Sequence, residues 1–222
     1  ILGFDITDST EVKLITGATI TGVGPYAYSF ELPDDATVHR YIVLAEDQVQ
    51  QPHSLQTTEP HGLADTENGA DWVLITHRDL GWDINGDDQA WLSDLIALRE
   101  AQGLRARVVD VAQIYDAFSY GIVSPQAIKD FISYAYENWT KPALKYVLLV
   151  GDATYDIKDN WGAGSVTYVP TYLTFTDYLG ETATDLFFVQ VSGQDALPVI
   201  SIGRRPANSV AVASGLGVWI VG

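Results

Sequence analysis

An alternation of strand and helix patterns, running from Ala70 to Val150, is the feature that most constrains the fold of this chain. The stretches DWVLIT and KYVLLV are nearly continuous apolar runs, typical of strands that are covered on both faces, and RARVVDV is predicted to be the strand between them. Between them, residues 91–98 carry apolar side chains at helical spacing, and Ser124-Pro125 begins a second helical pattern. A β-α-β-α-β order predicts a parallel sheet flanked by helices.

The rest of the chain shows other patterns of apolar and polar residues. Residues 1–50 carry four short alternating segments separated by Gly, Pro and Asp, which predicts a small all-β, sandwich-like segment. Residues 51–69 are polar with two prolines and indicate a linker, in which His53 and His61 are expected to be solvated. Residues 70–222 form the predicted α/β part. Within it, TDLFFVQVSG and LPVISIGRRP are expected to be strands, and Asn208 is expected to cap an apolar final segment.

Composition excludes several classes of function. Twelve Lys and Arg against 29 Asp and Glu give a formal net charge of -17, so the basic footprint of a nucleic-acid partner is missing and anionic membranes are disfavoured. No apolar run approaches the roughly 18 residues of a membrane span. The chain has no cysteine, which removes any thiolate nucleophile within it. It begins at Ile1 without a signal peptide, which predicts a processed chain or a piece of a longer one.

Three polar residues follow the three predicted parallel strands: His77, Asp110 and Asp152. Ligands of open α/β sheets gather at that edge, and a His with an Asp could act as a base and its orienter. However, Ala153 stands where an esterase of the Gly-Asp-Ser type would carry its nucleophile. The sequence therefore favours turn-forming aspartates and a hydrogen-bonded histidine, and it predicts no catalytic residue. There is no phosphate-binding loop and no cofactor fingerprint either.

Carboxylates in the loops after the third strand leave two interpretations open. GDATYDIKDN contains Asp152 and Asp156, and ETATDLFF contains Asp185. Such residues can hold Ca²⁺, which takes six to eight oxygen ligands, or they can form turns with their own backbone. Arg204 and Arg205 in IGRR are expected to form a structural salt bridge.

A second acidic stretch, DINGDDQAWLSD, places Asp83, Asn85, Asp87 and Asp94 at positions one, three, five and twelve of an EF-hand-like loop. The glycine that the turn needs at position six is replaced by Asp88. We therefore favour helix capping over calcium at this stretch.

Several stretches, in order and at familiar spacing, resemble the gingipain-like cysteine peptidases: ADWVLITH, LREAQGLRARVVDVAQIYDAFSYGIVSPQAIKDFISYAY, KYVLLVGDATYD, YVP, TDLFF and ISIGRRP. They span residues 70–206. In residues 1–50, FDITD is similar to the β domain that often precedes the peptidase domain. The resemblance implies a caspase-like α/β fold of two side-by-side subdomains, the first of which is non-catalytic.

The same resemblance implies where the chemistry lies. The family's catalytic His, in a Gly-His-Gly context, and its catalytic Cys belong to the second subdomain, and this chain contains neither. We expect a fragment of a secreted or cell-surface cysteine endopeptidase, truncated before the catalytic subdomain and inactive alone, whose parent acts on proteins or peptides. A non-catalytic binding or scaffolding module of a cell-surface protein is the alternative. Since family members are commonly calcium-stabilised, the expected metal ligands are Asp152, Asp156 and Asp185.

Overall fold

The chain divides into two compact units, Ile1–Thr57 and Thr58–Gly222. The computed structural model describes residues 1–17, 19–22, 27–31, 37–51, 61–191 and 197–217. None of the helices in these ranges is long and apolar enough to cross a membrane.

The first unit is built from short antiparallel strands: β1 (Leu2–Asp5), β2 (Lys13–Ile15), β3 (Thr19–Thr21), β4 (Ala27–Ser29) and β5 (Tyr41–Leu44), followed by a 3-10 helix, Glu46–Gln48. They form one sheet of order β2-β1-β5 and one of order β3-β4. The predicted all-β character is confirmed, and the sandwich arrangement stays a prediction. The strand β1 was not predicted, because Leu-Gly-Phe-Asp is short and contains glycine and aspartate, which are depleted in strands.

The second unit contains a four-stranded parallel sheet with helices on both faces, as the alternating pattern predicts. Its elements, in chain order, are β6 (Trp72–Thr76), α1 (Arg78–Gly81), α2 (Ala90–Ala101), β7 (Ala106–Asp110), α3 (Val111–Ser119), α4 (Pro125–Asn138), β8 (Tyr146–Val150), β9 (Tyr172–Thr176), β10 (Gly180–Thr184), a 3-10 helix (Leu186–Val189), β11 (Ser201–Arg205) and α5 (Val210–Gly217). The strand order is β11-β8-β6-β7, and every pair is parallel. The strands β9 and β10 form a separate antiparallel hairpin.

The sheet separates two apolar cores. Successive side chains of a strand point to opposite faces, so Val73 and Ile75 enter the core under α3 and α4, whereas Trp72 and Leu74 enter the core under α1, α2 and α5. All five residues of β6 are buried. Burying one large apolar side chain contributes about 1.5–3 kcal/mol, so the central strand anchors the whole unit.

The helix boundaries follow the expected end signals. Gly103 closes α2 with a φ of +79°, and Ser124 precedes Pro125 at the start of α4. The helix α3 was not predicted as a separate element. It begins directly after β7, with Asp110 ending the strand and capping the helix, so no turn residue marks the boundary.

Two predicted elements are wrong. The stretch TDLFFV does not form a strand: Leu186–Val189 is a 3-10 helix whose Phe188 and Val189 are buried. Periodicity cannot distinguish a buried strand from a buried helical segment in an apolar run of this length. The residue capping α5 is Ser209 rather than Asn208, since the Ser209 hydroxyl accepts from the N–H of Val212 at 3.4 Å and its carbonyl accepts from Ala213 at 3.0 Å.

The second half of the predicted linker packs into the second unit. Leu63 is 2% exposed, its carbonyl accepts from the indole N–H of Trp139 at 3.1 Å, and the hydroxyl of Tyr134 donates to the carbonyl of Ala64 at 2.6 Å. His61 is not solvated as expected: its Nε2 lies 3.2 Å from a carboxylate oxygen of Asp116. His53 lies outside the described residues.

Candidate functional site at the carboxyl edge of the parallel sheet

The three polar residues predicted at the strand ends do lie at one edge of the sheet. His77 directly follows β6 and precedes α1, Asp110 is the last residue of β7, and Asp152 follows β8 by two positions. The strands β7 and β8 flank β6 on its two sides, so these residues come from three neighbouring strands. This edge is where open α/β sheets bind ligands.

His77 and Asp110 both cap the helices that leave this edge. The Nδ1 atom of His77 accepts a hydrogen bond from the N–H of Asp79 at 3.2 Å, and its ring meets the edge of Tyr168 with 5.5 Å between centroids. Asp110 accepts from the N–H of Ala112 at 3.0 Å. The interpretation of these residues as a hydrogen-bonded histidine and a turn-forming aspartate is confirmed for both.

The inner side of this edge disfavours negative charge. Asp110 is 8% exposed, and burial raises its pKa above the ordinary value, although the N–H of Ala112 and the charge of His77 oppose the shift. Burial also raises the pKa of Tyr115, with the charge of Asp110 adding to the effect and that of Arg204 opposing it. A shifted carboxyl alone performs no acyl transfer.

Asp152 acts through its backbone. Its N–H donates to the carbonyl of Ala207 at 2.8 Å, and its own carbonyl accepts from Tyr168 at 2.9 Å and Val169 at 3.2 Å. The preceding Gly151 has a φ of +144°, and a Cβ on it would lie 2.8 Å from the Cβ of Tyr168. Immediately after β8, the chain therefore bonds to two other segments, at Ala207 and at Tyr168–Val169, and the position of Gly151 between them has room only for glycine.

Asp156 closes its own loop. Its two carboxylate oxygens accept from the side-chain amide of Asn160 at 2.8 Å and from the N–H of Trp161 at 2.7 Å. The N–H groups of Trp161 and Asn160 lower the pKa of Asp156, because they stabilise the ionised form. This is the local turn chemistry that aspartate favours.

Asp185 is paired with Arg204. The guanidinium donates from Nε to one carboxylate oxygen at 2.7 Å and from Nη2 to the other at 2.9 Å, and the hydroxyl of Thr171 donates to the same carboxylate at 3.0 Å. Arg204 donates further to the carbonyls of Gly151, Val169 and Pro170, at 3.0, 2.7 and 2.9 Å. The expected structural salt bridge of Arg204 is confirmed, and its five donors are all used.

The expected metal ligands are thus engaged in three separate ways. Asp152 bonds through its backbone, Asp156 closes a loop and Asp185 holds an arginine. Within the part of the chain that the structure describes, no group of three or more His, Asp or Glu side chains is placed to hold a metal ion. Calcium binding at these residues stays a prediction, and no chemical step is derived from it.

The EF-hand-like stretch forms a turn of its own. One carboxylate oxygen of Asp83 accepts from the N–H groups of Asn85 at 2.8 Å and Asp87 at 3.0 Å, and these bonds, led by that of Asp87, lower its pKa. The expected capping of α2 is wrong in its detail. The residue preceding that helix is Gln89, and the first turn of α2 carries no acidic side chain.

Two groups at this edge escaped sequence analysis. Tyr168 bridges the edge through an edge-to-face contact with His77 and a hydrogen bond from its hydroxyl to the carbonyl of Asn208 at 3.2 Å. Tyr115 lies buried near Asp110. Tyr115 follows Val111 by four residues, a helical spacing of apolar side chains that is a usable signal, whereas nothing in the sequence near Tyr168 indicates its position.

Comparison with known proteins identifies the family. The model of Peptidase family C25 matches residues 65–216. Among solved structures, the chain is similar to dimeric latent PorU from Porphyromonas gingivalis, with a TM-score of 0.63 and 17% identity over 99% of this chain and 22% of that one. It is also similar to the complex of RgpB pro- and mature domains from Porphyromonas gingivalis, with a TM-score of 0.47 and 22% identity over 66% of this chain and 27% of that one. No curated protein matches it.

These findings confirm the resemblance to gingipain-like proteins. The likeness to PorU shows a shared caspase-like α/β fold, and the chain spans about a fifth of the length of that PorU chain. The family match covers the parallel sheet, its flanking helices and the capped edge just described. The chain belongs to peptidase family C25, the gingipain family of cysteine peptidases.

Proposed function

We propose that this chain is the supporting, non-catalytic part of a secreted, gingipain-like cysteine endopeptidase whose Cys/His pair lies downstream of it. One observation carries the proposal: a match to a cysteine peptidase family across residues 65–216 in a sequence without cysteine. Peptide hydrolysis of this kind needs a thiolate to attack the carbonyl and an imidazole to protonate the leaving amine. The thiolate must come from other residues.

The geometry of the sheet edge supports a scaffolding role. The polar side chains there are used to cap helices and to close loops, and Arg204 ties the end of β8 to Val169, Pro170 and Asp185. Such pinning gives a rigid surface on which a neighbouring catalytic half can be positioned. The chain then supplies a wall of the cleft that receives protein or peptide substrates.

The outer strand of the sheet supports docking of that half. The strand β11 is terminal in the sheet order, and next to it a groove of about 340 Å³ is lined by Leu186 and residues 198–202. Leu186 is 52% exposed and Val199 is 44% exposed. Among the described strands, β11 pairs on one side alone, and such an edge beside apolar side chains favours pairing with further protein.

The test compares the 222-residue chain with the full product of its gene. The full product should hydrolyse fluorescent casein, and alkylation of its thiols should abolish the activity. The 222-residue chain should show no hydrolysis. Hydrolysis by the 222-residue chain alone would refute the proposal, and a full product without a reactive cysteine would favour the alternative, a non-catalytic binding or scaffolding module.

Localisation is tested separately. We expect the full product in the culture medium or on the cell surface, where protease added to intact cells removes it. Recovery of the protein only from lysed cells would contradict secretion, whatever its activity.

A further inference from the structure

A small cavity lies at the opposite, amino edge of the parallel sheet, away from the capped helices. It has a volume of about 370 Å³ and is lined by Trp72, Arg99, Gln102, Leu104 and Tyr146. Trp72 and Tyr146 are the first residues of β6 and β8 and are directly aligned in the sheet. Their side chains therefore lie side by side on the face that α2 covers. The volume is at the low end of the roughly 300–1,000 Å³ of ligand pockets, so it suits a small ligand.

Arg99 lines this cavity and carries a buried hydrogen-bond donor that has no acceptor among the described residues. Its guanidinium carbon lies 5.7 Å from the ring centre of Trp72, and its Nη1 donates to the side-chain oxygen of Gln102 at 2.9 Å. Its Nε is buried and has no hydrogen-bond partner in the described part of the chain. Buried donors are nearly always satisfied, so this N–H calls for an acceptor.

The position of Arg99 in its helix does not account for that donor. Arg99 lies in the last turn of α2, where a cation is favourable because the terminal carbonyls carry partial negative charge. Those carbonyls are already used: Leu98, Arg99 and Glu100 accept from the N–H groups that follow them. Helix electrostatics therefore explain the charge of Arg99 and leave its Nε unexplained.

Arg99 is the charged residue among the five that line the cavity, although the chain as a whole is strongly acidic. Arg105 and Lys145 stand next to the lining residues Leu104 and Tyr146 in sequence. They share one carboxylate, that of Asp71, with nitrogen-to-oxygen distances of 3.1 and 3.9 Å. Arg99 has no carboxylate partner among the described residues. An anion entering here therefore meets the charge of Arg99.

We propose that this cavity binds an organic carboxylate that carries a flat apolar group. The Arg99 side chain must turn to expose its buried Nε, and the carboxylate then accepts from that Nε and a terminal nitrogen in the paired geometry that guanidinium groups favour. The apolar group lies against Tyr146, which is 42% exposed, and against Leu104 and the edge of Trp72. A free aromatic acid and the C-terminal residue of a peptide both present this chemistry.

The experiment measures binding by calorimetry with two pairs of probes. The free-acid pair is 3-phenylpropionate and its amide; the peptide pair is Gly-Gly-Phe and its C-terminal amide. Each acid should bind saturably and at least ten times more tightly than its amide, since a tenfold change corresponds to about 1.4 kcal/mol, just below the roughly 1.5–3 kcal/mol of one hydrogen bond to a charged group. The pair with the larger difference identifies the source of the ligand.

Variants assign the binding to the cavity. Arg99→Gln should reduce the affinity for the acids to that for the amides, and Arg99→Lys, which keeps the charge but lacks Nε, should weaken it several-fold. Arg205→Gln removes a charge in β11 outside the cavity and should bind like the original chain. Equal affinities for acid and amide, no saturable binding of either acid, or unchanged binding by a folded Arg99→Gln variant would overturn the proposal. The acid-to-amide comparison needs no variant, so it decides even if Arg99→Gln fails to fold.

Discussion

Replacing Arg204 by methionine tests whether its five hydrogen bonds hold the carboxyl edge together. The substitution keeps an unbranched apolar stem but leaves the carboxylate of Asp185 and three backbone carbonyls without their donor. Removing one partner of a buried ion pair costs about 3–5 kcal/mol. The side chains of Arg204 and Asp185 are 15% and 21% exposed, so solvent screens part of this and we expect about 3 kcal/mol.

Urea unfolding followed by tryptophan fluorescence measures this loss. All six tryptophans lie in the unit Thr58–Gly222, so the signal reports on that unit alone. Arg205→Met is the matched control: it removes the same charge from the next residue of β11. Arg205 makes no side-chain hydrogen bond or ion pair in the described residues, so the control should cost less than about 0.5 kcal/mol.

A double-mutant cycle with Asp185→Asn separates the ion pair from the carbonyl bonds. Arg204→Met and Asp185→Asn together should cost less than the sum of the single losses, because each single variant leaves an unpaired charge. Equal losses for Arg204→Met and Arg205→Met, or strict additivity in the cycle, would refute the argument.

Four further predictions concern the same unit. Gly151→Ala should destabilise the unit by about 2 kcal/mol or more in urea unfolding, because the backbone of Gly151 has a positive φ and Tyr168 lies close to it. Gly203→Ala is the control: its Cβ would meet only Leu148 at 3.9 Å, so it should be nearly neutral. Asp110→Asn should raise the Tm at pH 7, because a carboxyl whose pKa is raised by burial destabilises the fold once it is ionised. The gain in Tm should vanish below about pH 4, near the unfolded pKa of 3.8, and a gain that persists there would contradict this. Asp71→Asn should do the reverse. Burial opposes ionisation of Asp71, but the N–H and guanidinium of Arg105 and the charge of Lys145 lower its pKa overall, so its contribution is present above the unfolded value of 3.8 and is lost in stronger acid; a loss of Tm that does not shrink in acid would refute it. If calcium binds the loops after β8, a chelator should lower the Tm, and an unchanged Tm would remove the calcium hypothesis. To test a single ligand, Asp156→Asn is a better variant than Asp185→Asn, because Asp185→Asn also removes the ion-pair partner of Arg204.

The parallel sheet and its two main helices could be predicted because their signals are local. Apolar runs mark the buried strands, and Gly103 and Ser124-Pro125 mark helix ends through backbone preferences that operate within a few residues. The 3-10 helix at Leu186–Val189 could not be predicted, because its apolar residues suit a strand equally well. Tertiary packing decides the matter: Phe187 stacks on Tyr172 with 3.6 Å between ring centres.

For the side chains, the type of interaction could be predicted from the sequence, but the identity of the partner could not. An arginine at the end of a strand indicates a salt bridge, yet the partner of Arg204 lies 19 residues earlier, across the loop after the hairpin. The same carboxylate, Asp185, looks like a calcium ligand when it is considered without that arginine. The residues around His61 have the polar composition of a solvated loop. Its contact with Asp116 could not be predicted, because Asp116 is 55 residues away and the contact depends on how α3 packs.

The second core also depends on the last described helix. Ala213 of α5 is 1% exposed and packs in the same cluster as Leu80 and Trp91. A deletion that removes α5 would uncover the apolar face of α1 and α2, even though every strand of the sheet would remain. The smallest independently folding version of this unit must therefore extend beyond β11, and shortened versions that stop at Arg205 should be insoluble when expressed.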